Sequence, residues 1–206
     1  MARLQRTLTA FCIAAAFGLQ PLLARAEAPA TTTPPPAQTP QATPAPAAPS
    51  DPFGEEVTLE AKTFVYMKGK ATWETAFETL VDALKSINGY LDKQNIKPSG
   101  QAIVIYTETD DAGFRYQAGL PIAEVPKNPP RGDLAVGKSP GGKTVKFVHR
   151  GSYDSMDTTY EAITNRLDEK RLETEDMFIE EYVTDPIKTP ADKLVVNIYV
   201  PLKQQR

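Results

Sequence analysis

From Val57 onward the chain switches between two hydrophobic periods. Trp73, Ala76, Phe77, Leu80, Leu84, Ile87 and Leu91 recur at spacings of three and four, which places them on one stripe of an amphipathic helix. Thr72 stands where an N-cap is wanted, and Asn95 with Pro98 beyond it marks a stop. A second stripe, Met156, Tyr160, Ile163 and Leu167, predicts a second helix with Ser155 as its candidate cap. Around these helices, short runs of period two predict strands over 62–68, 101–107, 114–120, 145–149, 178–183 and 194–200.

The two halves of this pattern match in order. TAFETLVDAL (Thr75 to Leu84) aligns with TTYEAITNRL (Thr158 to Leu167) at an offset of 83 residues. IVIYT (from Ile103) aligns with IEEYV (from Ile179) at 76, which pairs Tyr106 with Tyr182 and Val104 with Glu180. AGLP (from Ala118) aligns with IYVP (from Ile198) at 80. Each half reads strand, helix, strand, strand, a duplicated unit. The expected fold is therefore α+β: an antiparallel sheet, two helices on one face and a cleft between the repeats. The helix-free face, between the repeats, is where that cleft is expected.

Composition divides the chain before Val57. Residues 1–26 carry Arg3, Arg6 and Arg25 and no acid, with an apolar run from Leu8 to Leu23 that ends in Ala24-Arg25-Ala26. This is the layout of a signal peptide cleaved after Ala26, and the run is too short and too interrupted to anchor in a membrane. Residues 27–56 form a linker whose stretch from Glu27 to Pro52 holds nine Pro, seven Ala and five Thr. So little apolar bulk cannot offset chain entropy, and an extended, disordered spacer is expected. The folded domain is placed at 57–206, and the protein in the periplasm or outside the cell, with no stable membrane insertion after cleavage.

Charge and cysteine usage remove several function classes. The formal charge of −3 becomes more negative once the basic leader is gone, so a nucleic-acid partner is not expected. Cys12 is the only cysteine and His149 the only histidine, which leaves the mature domain without a zinc-ligand set; no metal or cofactor is expected. No nucleophile elbow occurs, and Lys138 to Lys143 reads as a turn rather than a phosphate loop.

Strand period singles out one residue. Phe178, Glu180 and Tyr182 share a face, as do Ala102, Val104 and Tyr106 in the first half. Glu180 thus replaces Val104 on a face otherwise apolar and aromatic, where a carboxylate is costly unless compensated. The residues alone also allow a pleat slipped by one, with Glu181 inward, or a structural ion pair with a nearby Lys or Arg.

VHRGSYDSM (Val148 to Met156), the helix after it, FIEEYVTDP (Phe178 to Pro186), KTPADKL and the final VNIYVPL resemble the GyrI-like small-molecule-binding family. This is the effector-binding domain of AraC-type and multidrug-sensing bacterial activators. The resemblance covers about Val57 to Lys203 and implies the duplicated fold, with a cleft that takes apolar, often cationic compounds over a glutamate. Carried across, that glutamate is Glu180, with Tyr182 beside it and Tyr153 at the cleft edge. The residues before Val57 hold no helix-turn-helix pattern, so the regulators' DNA-binding role is not implied.

The candidate ligand-binding residues are Glu180, Tyr182, Tyr106, Tyr153, Trp73, Tyr116 and Phe147. Tyr160 and Phe178 are further candidates for the wall, although plain core packing is the favoured reading for them and for Phe147. A small hydrophobic or cationic ligand is the expected partner, because one carboxylate among aromatic faces favours lipophilic cations of varied shape. Two other functions fit the same residues. Some relatives are hydrolases, and Glu180 with Tyr153 could act as general base and phenol on an electrophilic natural product. A periplasmic adaptor with a vestigial cleft is the other; no protein partner is indicated.

Overall fold

The computed structural model describes residues 53–203. The segment read as a signal peptide, residues 1–26, and nearly all of the Pro-rich linker lie outside the described residues. Eight strands and two helices follow in the order β1 (Glu55–Leu59), β2 (Thr63–Thr72), α1 (Ala76–Lys93), β3 (Ala102–Asp110), β4 (Gly113–Pro121), β5 (Leu134–Lys138), β6 (Gly142–Gly151), α2 (Met156–Lys170), β7 (Phe178–Tyr182) and β8 (Leu194–Pro201). Ladder formation begins at Glu55, two residues ahead of the boundary set by hydrophobic periodicity. The edge strands β1 and β5, five residues each, have no counterpart among the strands expected from sequence.

The strands form one antiparallel sheet in the order β1-β6-β8-β7-β3-β4-β2-β5. Strand–helix–strand–strand therefore occurs twice, as β2-α1-β3-β4 and β6-α2-β7-β8, and the two sets meet at β3 and β7. Registers fix which positions correspond. Phe64 pairs with Pro121 and Thr144 with Pro201, so the outer strands of the two sets match 80 residues apart (64 to 144, 121 to 201). The turns that open the helices, Trp73–Thr75 and Tyr153–Ser155, keep the same spacing. The helices thus correspond at 80 rather than at the 83 of the sequence alignment. A slip of three residues turns a helix by about 300°, so an apolar stripe looks nearly the same in either register.

α1 buries Ala76, Leu80, Ala83, Leu84, Ile87 and Leu91 against one face of the sheet. α2 does so with Met156, Ile163 and Leu167. The sheet contributes Val104, Ala118, Val145, Phe147, Val196, Ile198 and Val200 to this core. At roughly 1.5–3 kcal/mol per large apolar side chain, this layer is the main source of stability. The stripes match the expected helices; the second starts after Ser155 as expected, whereas the first starts after Thr75, and Thr72 precedes only the 3-10 turn ahead of it. Each helix is preceded by a short 3-10 turn. Thr75 and Ser155 stand at the helix N-caps without a side-chain capping bond, whereas Ser152 accepts from the Asp154 backbone N–H at 3.2 Å. Asn95, at φ +59°, takes the left-handed conformation that ends the first helix.

The helix-free face is also filled. Phe64, Ile103, Ile105, Ile179 and Tyr199 form a second cluster there, flanked by Val57, Leu59, Tyr66 and Met177. The curl of the sheet explains this. β1 and β2 are six strand spacings apart, about 29 Å in a flat sheet at ~4.8 Å each. Only residues 60–62 join them, and such a connector reaches about 14 Å at most. The edges must therefore curl toward each other. Residues 139–141 make the matching connection from β5 to β6, and the two connectors are bonded. Lys62 N–H donates to Ser139 Oγ at 2.9 Å, and Ser139 N–H donates to the Lys62 carbonyl at 2.8 Å.

Candidate functional site

Glu180 lies mid-strand on the helix-bearing face and is 1% exposed. A carboxylate buried this deeply needs donors for its lone pairs. It has three, each delivered by a different element. Tyr182 lies two positions along β7, hence on the same face, and donates to Oε2 at 2.8 Å. Tyr106, across the β3–β7 ladder, donates to the same oxygen at 2.9 Å. Tyr160, on the inner stripe of α2, donates to Oε1 at 2.7 Å. Tyr153, from the turn ahead of α2, brings its hydroxyl to 3.4 Å from that of Tyr106. Among the described residues no Lys or Arg pairs with Glu180, so its compensation comes from phenols alone.

Burial pushes the Glu180 carboxyl above the ordinary glutamate range, and the hydrogen bonds from Tyr160, Tyr182 and Tyr106 pull it back only in part. Burial and then the Glu180 charge raise Tyr106, Tyr153, Tyr160 and Tyr182 in turn. All four phenols therefore keep their protons at neutral pH.

Glu181 faces the other way. Lys62 Nζ meets its Oε1 at 2.7 Å, while Asn197 Nδ2 and the Tyr199 hydroxyl donate to Oε2 at 3.3 and 3.1 Å. Burial pushes this carboxyl up, but the Lys62 ammonium and the two further donors outweigh it, and the net shift is downward. The structural ion pair that the sequence allowed for Glu180 belongs to its neighbour.

In front of the tyrosine cluster, between the starts of α1 and α2, is a pocket of about 820 Å³. Such a volume lies within the range of small-molecule sites. Trp73, Tyr106, Tyr153, Tyr160 and Phe178 form its aromatic walls. Ring contacts hold them in place. Tyr160 meets Phe178 edge-on at 5.0 Å, Phe77 backs Tyr153 at 5.0 Å, and Trp73 leans on Phe114 at 4.9 Å. Glu74, Asp110, Asp111, Asp154, Asp157 and Glu161 also line the pocket, and no Lys, Arg or His does so among the described residues. Acids in the first helical turns also complement the helix dipoles.

The pocket therefore lies on the helix-bearing face, not on the helix-free face where the sequence placed it. Curling fills the latter with its own apolar cluster, while the gap between the helix starts leaves the former open. The structure brings Glu180, Tyr182, Tyr106 and Tyr153 into one cluster and adds Tyr160. Tyr106, Tyr153 and Trp73 line the pocket, whereas Glu180 and Tyr182 lie behind its wall. Tyr116 and Phe147 do not reach it: Tyr116 packs beside Phe114, and Phe147, wholly buried, packs against Phe53.

Two features escaped the sequence reading. Two of the rim acids, Glu74 and Asp154, could have been found by comparing Trp73-Glu74-Thr75 with Tyr153-Asp154-Ser155, an aromatic–acid–hydroxyl triplet at both helix starts. His149, 3% exposed, has Nδ1 at 2.8 Å from Thr159 Oγ1 and Nε2 at 3.1 Å from the Ser152 carbonyl. It ties the turn that carries Tyr153 to the helix that carries Tyr160, a role that a lone histidine does not announce.

Residues 55–203 match the GyrI-like small molecule binding domain. No curated protein matches the chain. Among solved structures, EcmrR in its DNA complex superimposes with a TM-score of 0.63 at 13% identity, over 74% of this chain and 57% of that one. The chain thus spans a little over half of that protein's length. The EcmrR C-terminal domain alone gives 0.62 at 12% identity, over 74% of this chain and 98% of that one. SAV2435 bound to tetraphenylphosphonium gives 0.51 at 15% identity, over 73% and 93%. A hydrolase from Listeria innocua gives 0.51 at 12% identity, over 76% and 94%. At these identities the likeness is one of fold.

Proposed function

This chain belongs to the GyrI-like small-molecule-binding family, and from that premise we propose that it is an exported binding protein for lipophilic cations. The observation that carries the reading is the pocket itself. Aromatic walls stand over a buried carboxylate, six further carboxylates surround them, and no basic side chain is present among the lining residues. Aromatic faces contribute about 0.5–2 kcal/mol each to a desolvated cation, and the acids add long-range attraction. That SAV2435 has been seen with tetraphenylphosphonium supports the same ligand class here.

The general-base alternative has less support. Both Glu180 oxygens are engaged by phenols, and the carboxylate does not line the pocket. Water held there would have to act through a phenol, Tyr106 or Tyr160 directly or Tyr153 by way of Tyr106. No feature of the site favours the adaptor reading, and the DNA-linked role of EcmrR forms no part of the proposal.

Trp73 is the only tryptophan and is 48% exposed on the pocket wall, so it reports occupancy. Titration with tetraphenylphosphonium should change its fluorescence saturably, while the near-isosteric anion tetraphenylborate should not bind. Equal response to both ions would overturn the cation reading. Export is tested by intact mass: protein recovered from periplasm or medium should begin at Glu27, and recovery of residues 1–26 on membrane-bound protein would refute it.

A further inference from the structure

The hydroxyl protons of the tyrosine cluster are already assigned, and this limits what a ligand can find there. Tyr106, Tyr160 and Tyr182 each spend their single phenolic proton on Glu180. Tyr106 therefore has none left for its 3.4 Å contact with Tyr153, so Tyr153 must be the donor in that pair. The chain runs inward: Tyr153 O–H to Tyr106, and Tyr106 O–H to Glu180. What Tyr153 and Tyr160 can offer the pocket is lone pairs.

Apart from the Thr109 hydroxyl, the rest of the lining shows the same bias. The Trp73 indole N–H is spent on the Asp110 carbonyl at 2.8 Å, and the Thr164 hydroxyl on the Tyr160 carbonyl at 3.0 Å. The rim carboxylates are acceptors only when ionised. A cation without N–H groups would gain only charge attraction and ring contact in such a pocket. One with N–H groups would also extend the chain, and bonds in an aligned chain polarise one another.

We infer that the pocket selects cations bearing N–H donors, such as protonated amines, amidines or guanidines, over quaternary ions, with Tyr153 as the acceptor that reads the difference. The inference rests on the binding reading above and narrows its ligand class. It also assigns Glu180 an indirect part: the carboxylate orients the phenolic protons inward, so that a ligand bound at Tyr153, two hydroxyls away, senses its charge without touching it.

The test compares two ions on one scaffold, naphthylmethylammonium and its trimethylated quaternary counterpart, by calorimetry on the mature chain. The added methyl groups bury more apolar surface and would favour the quaternary ion if hydrogen bonding played no part. The expected order is the reverse, with the ammonium bound about tenfold more tightly, the worth of one net hydrogen bond to a charged group. In Tyr153→Phe the ratio of the two affinities should fall to about one or below. If that variant does not fold, Tyr106→Phe interrupts the same chain at its next link and is read in the same way. Tighter binding of the quaternary ion by the wild-type chain overturns the inference and leaves the lipophilic-cation reading standing. A preference that persists unchanged in the variant overturns the assignment to Tyr153. Absence of binding by both ions overturns the binding reading and this inference with it.

Discussion

Val104 and Glu180 face each other across the β3–β7 ladder, and they hold the same place in the two halves of the sheet. Val104 pairs outward with Ala118, and Glu180 pairs outward with Ile198. The two-fold relation between the strand–helix–strand–strand units therefore runs between a valine and a glutamate. Chemical asymmetry is concentrated around that point. Leu80 of α1 corresponds to Tyr160 of α2, so at these two positions the second half has a carboxylate and a phenol where the first half has aliphatic side chains. Tyr106 of β3 is the one phenol on Glu180 that comes from the first half.

Glu180 should cost stability at neutral pH. Its folded pKa lies above the unfolded one, so the unfolded chain releases its proton first as pH rises. Stability then falls from about pH 4.3, the free glutamate value, up through the raised native value. Glu180→Gln keeps an acceptor for the phenols and removes the charge. Urea unfolding across pH should show a flatter profile than wild type, with stability at neutral pH no lower. Cation affinity should drop about tenfold or more. A profile identical to wild type would mean that another group titrates.

Glu181→Gln should do the opposite. The folded Glu181 carboxyl lies below its unfolded value, so its contribution is present above the unfolded pKa and is lost as pH falls through the native one. The variant should lose about 1 kcal/mol at neutral pH, through the weakened link to Lys62. Cation affinity should stay within about twofold, because the two carboxylates lie on opposite faces of the sheet. A large fall in affinity would mark Glu181 as the site carboxylate.

Two glycines should respond to alanine with opposite signs. A Cβ on Gly113 would lie 2.1 Å from the Ala71 carbonyl oxygen, which is backbone and cannot swing aside. Gly113→Ala should cost about 1–3 kcal/mol and loosen the hairpin that brings Asp110 and Asp111 to the pocket. Gly89, inside α1, has nothing within 4 Å of that position, so Gly89→Ala should stabilise by about 0.5–1 kcal/mol. Thermal melts of both variants decide it.

Period alone determined much of this domain. Alternation along residues 178–183 placed Glu180 with Phe178 and Tyr182 and set Glu181 on the other face, and stripes of three and four gave both helices. Order and offset identified Val104 as the counterpart of Glu180. These are local regularities, because a strand repeats every two residues and a helix every 3.6 wherever it packs. Sequence could not say which sheet face would stay open, since both faces of β3 are apolar and only the short connectors at 60–62 and 139–141 curl the sheet so that one closes. Nor could it bring Tyr160 to Glu180. That contact depends on how far α2 slides along the sheet, and a three-residue slip leaves the apolar stripe nearly unchanged. Register was decided by the ladders and by the His149 tie at the helix start, where hydrogen bonds between distant segments distinguish positions that hydrophobicity leaves equivalent.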